Sequence, residues 1–171
     1  MPIRSVTMGD SCMNELDLLI AELQKNLTVL ERIRTFIGET ERKELAVSGK
    51  TPATAFMMAG MIENYYSCLE TLFLRISQNF ENHLEEHRWH QALLDRMTLH
   101  IPGVRERVIA DKTRQDLGEL LKFRHFKRYY FELENDWDRI DYLLGKVNTV
   151  HPKVLEEITA FILFLEKARQ A

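Results

Sequence analysis

Apolar residues in this chain recur every three or four positions, which is the spacing of one face of an α-helix. The first series consists of Leu16, Leu19, Ile20, Leu23, Leu27, Leu30, Ile33 and Ile37. It predicts a long amphipathic helix that begins at Ser11 and ends at Gly38, because glycine is typical of helix C-termini. Residues 1–10 lack the pattern and are predicted to form a loose lead-in. The charged run from Glu39 to Glu44 is predicted to be a solvated loop.

A second helix is predicted to begin at Thr51 and Pro52, since threonine is a favourable N-cap and proline is accepted at the first helical position. The residues that follow are apolar on several sides, which indicates a central position in the fold. The helical pattern continues past a bend near Asn82 to about Leu99. The sequence Ile101-Pro102-Gly103 then interrupts it, because proline does not continue a helix.

The rest of the chain predicts three more helices. The third covers residues 111–131, a short one covers residues 136–144, and the last begins at His151-Pro152. No segment shows the strict alternation of a β-strand. The predicted fold class is therefore all-α, an up-and-down bundle of four main helices with a short additional helix.

Composition agrees with a single helical domain over residues 11–171 of the 171-residue chain. Cys12 and Cys68 are far apart and form no CxxC pair, which is typical of a reducing cytoplasm. The longest apolar run, residues 160–165, is too short to span a bilayer. We therefore expect a soluble cytoplasmic protein with no membrane partner. The net charge of −3 excludes a uniformly basic nucleic-acid protein but permits a local basic site.

Such a site is predicted in the third helix, within the sequence LLKFRHFKRYYFELENDWDR over residues 120–139. Successive residues of a helix are roughly 100° apart around its axis. Five residues of the third helix therefore project within about 100° of one another, and they include both leucines and arginines. These residues are Leu117, Leu120, Leu121, Arg124 and Arg128. An arginine on an apolar face requires a partner or a function, because burying an unpaired charge is costly. This face is therefore predicted to end in a polar cleft.

The residues of this cleft permit two interpretations. Two guanidinium groups one turn apart can bind a phosphodiester and stabilise charge in its transition state, and His125 can act as a general acid or base. The hydroxyl groups of Tyr129 and Tyr130 can orient a phosphate or be modified. In the other interpretation both arginines belong to an interhelical network with Glu63, Glu70 or an acid of a second subunit.

Three histidines form a weaker candidate site. His83, His87 and His90 follow one another at spacings of four and three, so they share one face of a helix and resemble a zinc-binding arrangement. However, no cysteine is nearby and the HExxH order is absent, while the surrounding charges indicate a solvated face. We therefore expect no metal site, and the absence of a glycine-rich phosphate loop argues against a nucleotide cofactor.

The segment RHFKRYYFELENDWDRI resembles the C-terminal motif of the HEPN superfamily, in particular of its HepT-like members that are paired with minimal nucleotidyltransferases. Arg124, His125, Arg128 and the closing Asp136-Trp137-x-Arg139 match that motif without gaps. Upstream, the sequences ENYYSCLETLFLRIS and WHQALLDRMTLHIPGVR are similar to the central region of the same group. The resemblance covers residues 52–144, which are most of the predicted domain.

The resemblance implies a two-fold homodimer in which the arginine-motif helices of both subunits surround one cleft. It also implies a ribonuclease that needs no metal or cofactor and uses an Arg-x4-His-x-Tyr motif. In that motif the histidine moves a proton and the arginine stabilises the phosphorane. The protein is then expected to be the toxin of a toxin–antitoxin pair whose antitoxin is a nucleotidyltransferase. Lys127 and Tyr130 are expected to contact RNA, and Tyr130 to accept AMP if the partner modifies the protein.

The chain departs from this motif at two positions, since Tyr129 stands at the histidine position and Phe131 at the tyrosine position. Tyrosine, with an unperturbed pKa of about 10, is a poor proton carrier at neutral pH. One hypothesis is therefore a variant ribonuclease with the catalytic set Arg124, His125, Arg128 and Tyr129. The alternative is an inactive HEPN-fold subunit whose cationic cleft binds RNA, a nucleotide or a partner. A third hypothesis is a structural dimerisation subunit whose neutralised arginines bind no anion.

Overall fold

The computed structural model describes residues 8–81, 89–130 and 136–170, with side chains over 15–81, 89–128 and 136–170. Within these ranges the chain forms five helices and no strand beyond a single isolated bridge between Ile101 and Arg105. The helices are α1 (Met8–Ser48), α2 (Pro52–Phe80), α3 (Trp89–Arg96), α4 (Asp111–Tyr130) and α5 (Trp137–Gln170). This is the predicted all-α class, with four main helices and a short additional one. None of the described helices has the length and apolar character that a membrane span requires.

The order of contacts between helices shows that neighbours in sequence run in opposite directions. Asn26 of α1 hydrogen-bonds the Cys68 carbonyl of α2, whereas Glu22, one turn earlier in α1, pairs with Arg75, two turns later in α2. The same reversed order relates α2 to α4, α4 to α5 and α1 to α5. The fold is therefore an up-and-down bundle, as predicted.

The central helix is α2, which packs against each of the other four helices. Its N-terminus has the predicted cap, because the Thr51 hydroxyl accepts the Thr54 amide at 3.2 Å and the Thr54 hydroxyl accepts the Thr51 amide at 2.9 Å. The Thr51 carbonyl also accepts the indole N–H of Trp137 at 3.0 Å, which ties the start of α5 to the start of α2. This junction fixes the helix that carries Glu63 and Glu70.

The predicted end of the first helix at Gly38 is wrong, and the charged run after it is helical rather than a loop. α1 continues to Ser48, and the residue that ends it is Gly49, whose φ of +68° suits glycine. An interior glycine costs about 1 kcal/mol of helix propensity, which packing on both sides of it outweighs. Thr40, two residues after Gly38, is still buried. On the exposed side of this part of α1, Glu39 and Lys43 pair across one helical turn.

The last two predicted helices are one helix, α5, which contains Pro152 in its interior. Proline removes one backbone hydrogen bond and usually ends or kinks a helix. Here the core overrides that preference, because Val150 and Val154 on either side of the proline are fully buried. His151 adds an anchor, since its Nδ1 lies 3.1 Å from the hydroxyl group of the buried Tyr65.

The short helix is therefore α3 and not the predicted segment 136–144, which forms the start of α5. α2 ends at Phe80, and Glu81 is extended, so the second predicted helix is in fact two helices. The predicted bend near Asn82 lies outside the described residues. α1 begins at Met8 rather than Ser11, and residues 1–7 of the predicted lead-in also lie outside the described residues.

A buried arginine organises the connection between α3 and α4. The Arg105 side chain is fully buried and pairs with Glu81, its Nε lying 3.0 Å from Oε1. Its other donors bind three backbone carbonyls, those of Arg96, Leu99 and Glu106, at 2.9 to 3.2 Å. No sequence pattern indicated this role, because all partners of Arg105 depend on how the loop folds.

We expect Arg105→Met to lower the free energy of unfolding by about 3 kcal/mol, because it leaves Glu81 and three carbonyls without their buried donor. Urea denaturation followed by circular dichroism measures the change. The control is Arg107→Met, which alters an exposed arginine two residues away and is expected to cost less than about 0.5 kcal/mol. Equal losses in the two variants would contradict this account of the loop.

Candidate functional site

Arg124 is the buried end of the apolar face of α4. Leu117, Leu120 and Leu121 on that face are buried, and the Arg124 side chain is only 9% exposed. Arg128, one turn further, is exposed. The face predicted from the sequence is therefore correct up to Arg124, while Arg128 lies at the surface where α4 is about to end.

Two residues of α2 hold the Arg124 guanidinium group. Its Nε donates to the Ser67 hydroxyl at 3.0 Å, its Nη2 lies 2.9 Å from Oε2 of Glu70, and its Nη1 lies 3.3 Å from Oε1 of Glu70. Glu70 is itself nearly buried, with a side-chain exposure of 7%. The bidentate pair compensates two charges that burial would otherwise penalise. Glu70 is one of the two carboxylates that the sequence offered as partners of this arginine.

His90, the second residue of α3, completes the cluster. Its Nδ1 lies 2.5 Å from Oε1 of Glu70 and 3.5 Å from Nη1 of Arg124. The indole of Trp89 stacks on the imidazole, with ring centroids 3.7 Å apart and planes inclined by 30°. Three helices therefore meet at one carboxylate. We refer to Ser67, Glu70, His90 and Arg124 as the Arg124 cluster.

The histidine triplet considered from the sequence is a different arrangement. His90 is engaged by Glu70, while His83 and His87 lie outside the described residues. Among the residues that the structure describes, no group of three potential ligands is close enough to hold a metal ion. The sequence grouped His90 with its neighbours on one helix and missed its contact with Arg124, because that contact depends on the tertiary packing of α3.

Tyr66 lies beside the cluster and is buried. Its pKa is raised well above the usual value, first by burial and then by the negative charge of Glu70, which together outweigh the opposing effect of Arg124. The phenol is therefore neutral at physiological pH and binds a proton too tightly to transfer it.

Lys127 is turned toward α2. Its Nζ lies 3.9 Å from Oε2 of Glu63 and 4.7 Å from the ring centroid of Phe56, and its side chain is 12% exposed. Burial lowers its pKa, and the nearby Glu63 carboxylate partly offsets this shift. The Lys127 side chain passes over Gly60, where a Cβ atom would lie 3.7 Å from Nζ. The charge predicted to contact RNA is thus partly compensated inside the protein.

The remaining predicted site residues lie at the exposed end of α4. His125 and Arg128 are exposed. Tyr129 and Tyr130 belong to the last turn of α4, and their side chains lie outside the described residues. The structure therefore separates the predicted set into a buried arginine and an exposed histidine and arginine.

The C-terminal half of the motif is structural. Trp137 donates to the Thr51 carbonyl and its ring receives the Lys50 ammonium group 5.3 Å from the centroid. Arg139 lies over the rings of Phe123 and Phe126 at 5.3 and 4.7 Å, and thereby holds α5 against α4. These residues position α4 without forming part of the Arg124 cluster.

The cluster combines a fixed cation with an imidazole held by a carboxylate. A guanidinium group stabilises an oxyanion, and an imidazole transfers protons near neutral pH. Glu70 limits the first of these functions, since it accepts from both terminal nitrogens of Arg124.

A family model described as HepT-like protein matches residues 57–165, which are well over half of the chain and include the whole Arg124 cluster. No curated protein and no solved structure gives a match. The family match agrees with the resemblance found in the sequence, and it covers both the arginine motif of α4 and the helices that hold it. The chain therefore belongs to the HepT-like family of the HEPN superfamily.

Proposed function

We propose that this protein is a toxin-type endoribonuclease that cleaves RNA in the cytoplasm without a metal ion. The observation that supports this best is the fixed position of Arg124, which Ser67 and Glu70 hold in the segment that matches the family. An arginine held rigidly can stabilise the developing charge of a phosphorane without reorganisation. The exposed Arg128 is well placed to bind a flanking phosphate, and His125 lies beside it on the surface.

We further propose that the active form is a homodimer with a nucleotidyltransferase as its antitoxin. A two-fold axis near the exposed end of α4 brings two copies of His125 and Arg128 to one cleft and doubles its charge. Inhibition by the partner would place AMP on Tyr130. The phenolic oxygen loses its proton to solvent and bonds to the α-phosphate of ATP as pyrophosphate leaves. The added negative charge would then repel RNA from the cleft.

A specific observation also favours the inactive binding subunit as a second candidate. Glu70 accepts from both terminal nitrogens of Arg124, and Lys127 lies against Glu63, so two of the motif's cations are already compensated. In addition, Tyr129 and Phe131 replace the histidine and tyrosine of the family motif. In this case the exposed cations bind RNA and no cleavage follows.

We expect Arg124→Ala to lower the rate of RNA cleavage by about 10²- to 10³-fold, the usual loss when one donor to a developing oxyanion is removed. The assay uses purified protein in EDTA with a fluorogenic single-stranded RNA. The control is Arg42→Ala, which changes an exposed arginine of α1 and is expected to keep full activity. Cleavage that persists in Arg124→Ala would reveal a contaminating nuclease and contradict the proposal.

We expect Arg128→Ala to reduce the salt dependence of RNA binding. Loss of one phosphate contact lowers the slope of log Kd against log salt concentration by about 0.7 for a single strand. Fluorescence anisotropy over a series of salt concentrations measures this slope, again with Arg42→Ala as the control. Strong binding with no cleavage in the unmodified protein would support the inactive subunit, and an unchanged slope would exclude Arg128 from the RNA contact.

A further inference from the structure

The family motif has a histidine where this chain has Tyr129, and the fold brings a different histidine to Arg124. His125 follows Arg124 directly, so it projects about 100° away from it around α4 and is exposed. His90 comes from α3, and its Nδ1 lies 3.5 Å from Nη1 of Arg124. The imidazole that contacts the buried arginine is therefore supplied by a different helix.

Glu70 fixes which ring nitrogen is available. Because Nδ1 is bound to Oε1 of Glu70, the other nitrogen, Nε2, is left for a ligand, and it has no hydrogen bond to any residue in the described part of the chain. Trp89 stacked on the ring restrains its plane. The His90 side chain is 24% exposed, so solvent and a substrate can reach it, whereas Arg124 and Glu70 behind it are below 10%.

The chain contains a second histidine–carboxylate pair that lacks these features. Nδ1 of His100 lies 3.0 Å from Oε2 of Glu106, but both side chains are more than half exposed. In the described part of the chain, His100 contacts no arginine side chain. The greater burial of the pair between His90 and Glu70, and its contact with Arg124, indicate that it belongs to an organised site and is not an ordinary surface pair.

We propose that His90 is the proton acceptor of the ribonuclease site, with Glu70 as its positioning residue. This inference rests on the proposed function and assigns the group that moves the proton. Nε2 takes the proton of a ribose 2′-hydroxyl, the 2′-oxygen bonds to the adjacent phosphorus, and the bond from phosphorus to the 5′-oxygen breaks. The leaving oxygen takes a proton from water, and the resulting hydroxide removes the proton from the imidazolium. The products are a 2′,3′-cyclic phosphate and a 5′-hydroxyl.

The surroundings of the ring leave no other proton carrier within the cluster. Glu70 contacts the ring from α2 and Arg124 from α4, and Tyr66 lies near these two charges. Tyr66 is buried, a guanidinium group does not release its proton in proteins, and Glu70 is occupied by Arg124 and His90. A further pair, Arg114 with Asp95 at 2.5 Å, also lies near Tyr66, and both of its side chains are partly exposed.

The test compares His90→Ala with the matched variant His100→Ala on a fluorogenic single-stranded RNA in EDTA. We expect His90→Ala to lower kcat by about 10²- to 10⁴-fold with little change in KM, and His100→Ala to retain wild-type kinetics. Imidazole added to the buffer should restore part of the activity of His90→Ala only, which a purely structural role would not explain. Circular dichroism confirms that the variant is folded, and His90→Gln serves as the second variant if the alanine form is not.

The outcomes separate this inference from the proposed function. If wild-type protein cleaves and Arg124→Ala does not, but His90→Ala and His90→Gln retain activity within threefold, His90 is not the proton acceptor while the ribonuclease assignment stands. Loss of activity in His125→Ala with full activity in His90→Ala would assign the role to His125 and overturn the proposal. If the wild-type protein cleaves no RNA, both proposals are wrong.

Discussion

The burial of Arg124 is the constraint on which the site depends. A guanidinium group on the apolar face of α4 is costly without an anion, so α2 must supply Glu70 at the same level of the bundle. Glu70 in turn accepts from His90 and brings α3 to the same point. One charge therefore determines how three helices meet, and a substitution of Glu70 would leave both a cation and an imidazole without their common partner.

The pairing of Arg124 with Glu70 affects catalysis and anion binding in opposite ways. The carboxylate that holds Arg124 in place also neutralises it, so the same contact supports precise positioning and opposes anion binding. A substrate phosphate would have to share the guanidinium group with Glu70 or rely on Arg128 at the surface. The difference between a catalytic and a non-catalytic site therefore depends on the charges around Arg124. A sequence motif specifies residue types and does not specify this charge balance.

Local patterns predicted much of the fold and part of the site. The cap at Thr51 follows from the residue types at the start of α2, and the extent of α4 and the buried position of Arg124 follow from spacing along one helix. Local patterns did not predict that α1 continues through Gly38 or that α5 continues through Pro152. At both positions, packing against other helices outweighed the low helix propensity of the residue. The contact of His90 with Arg124 joins residues 34 positions apart, so no periodicity within one helix could reveal it.

Pro152 divides the contacts of α5 into two groups. Before it, Trp137, Arg139 and Lys146 attach the helix to α2 and α4, which carry the Arg124 cluster. After it, Glu157 contacts Thr113 of α4 and Phe161 packs against Phe80 of α2, while Arg169 pairs with Asp17 of α1. Since the proline leaves one backbone carbonyl without its helical donor, bending is easiest there. A bend of α5 at Pro152 would therefore tilt its C-terminal half, with the pair between Arg169 and Asp17, relative to the half that holds α4.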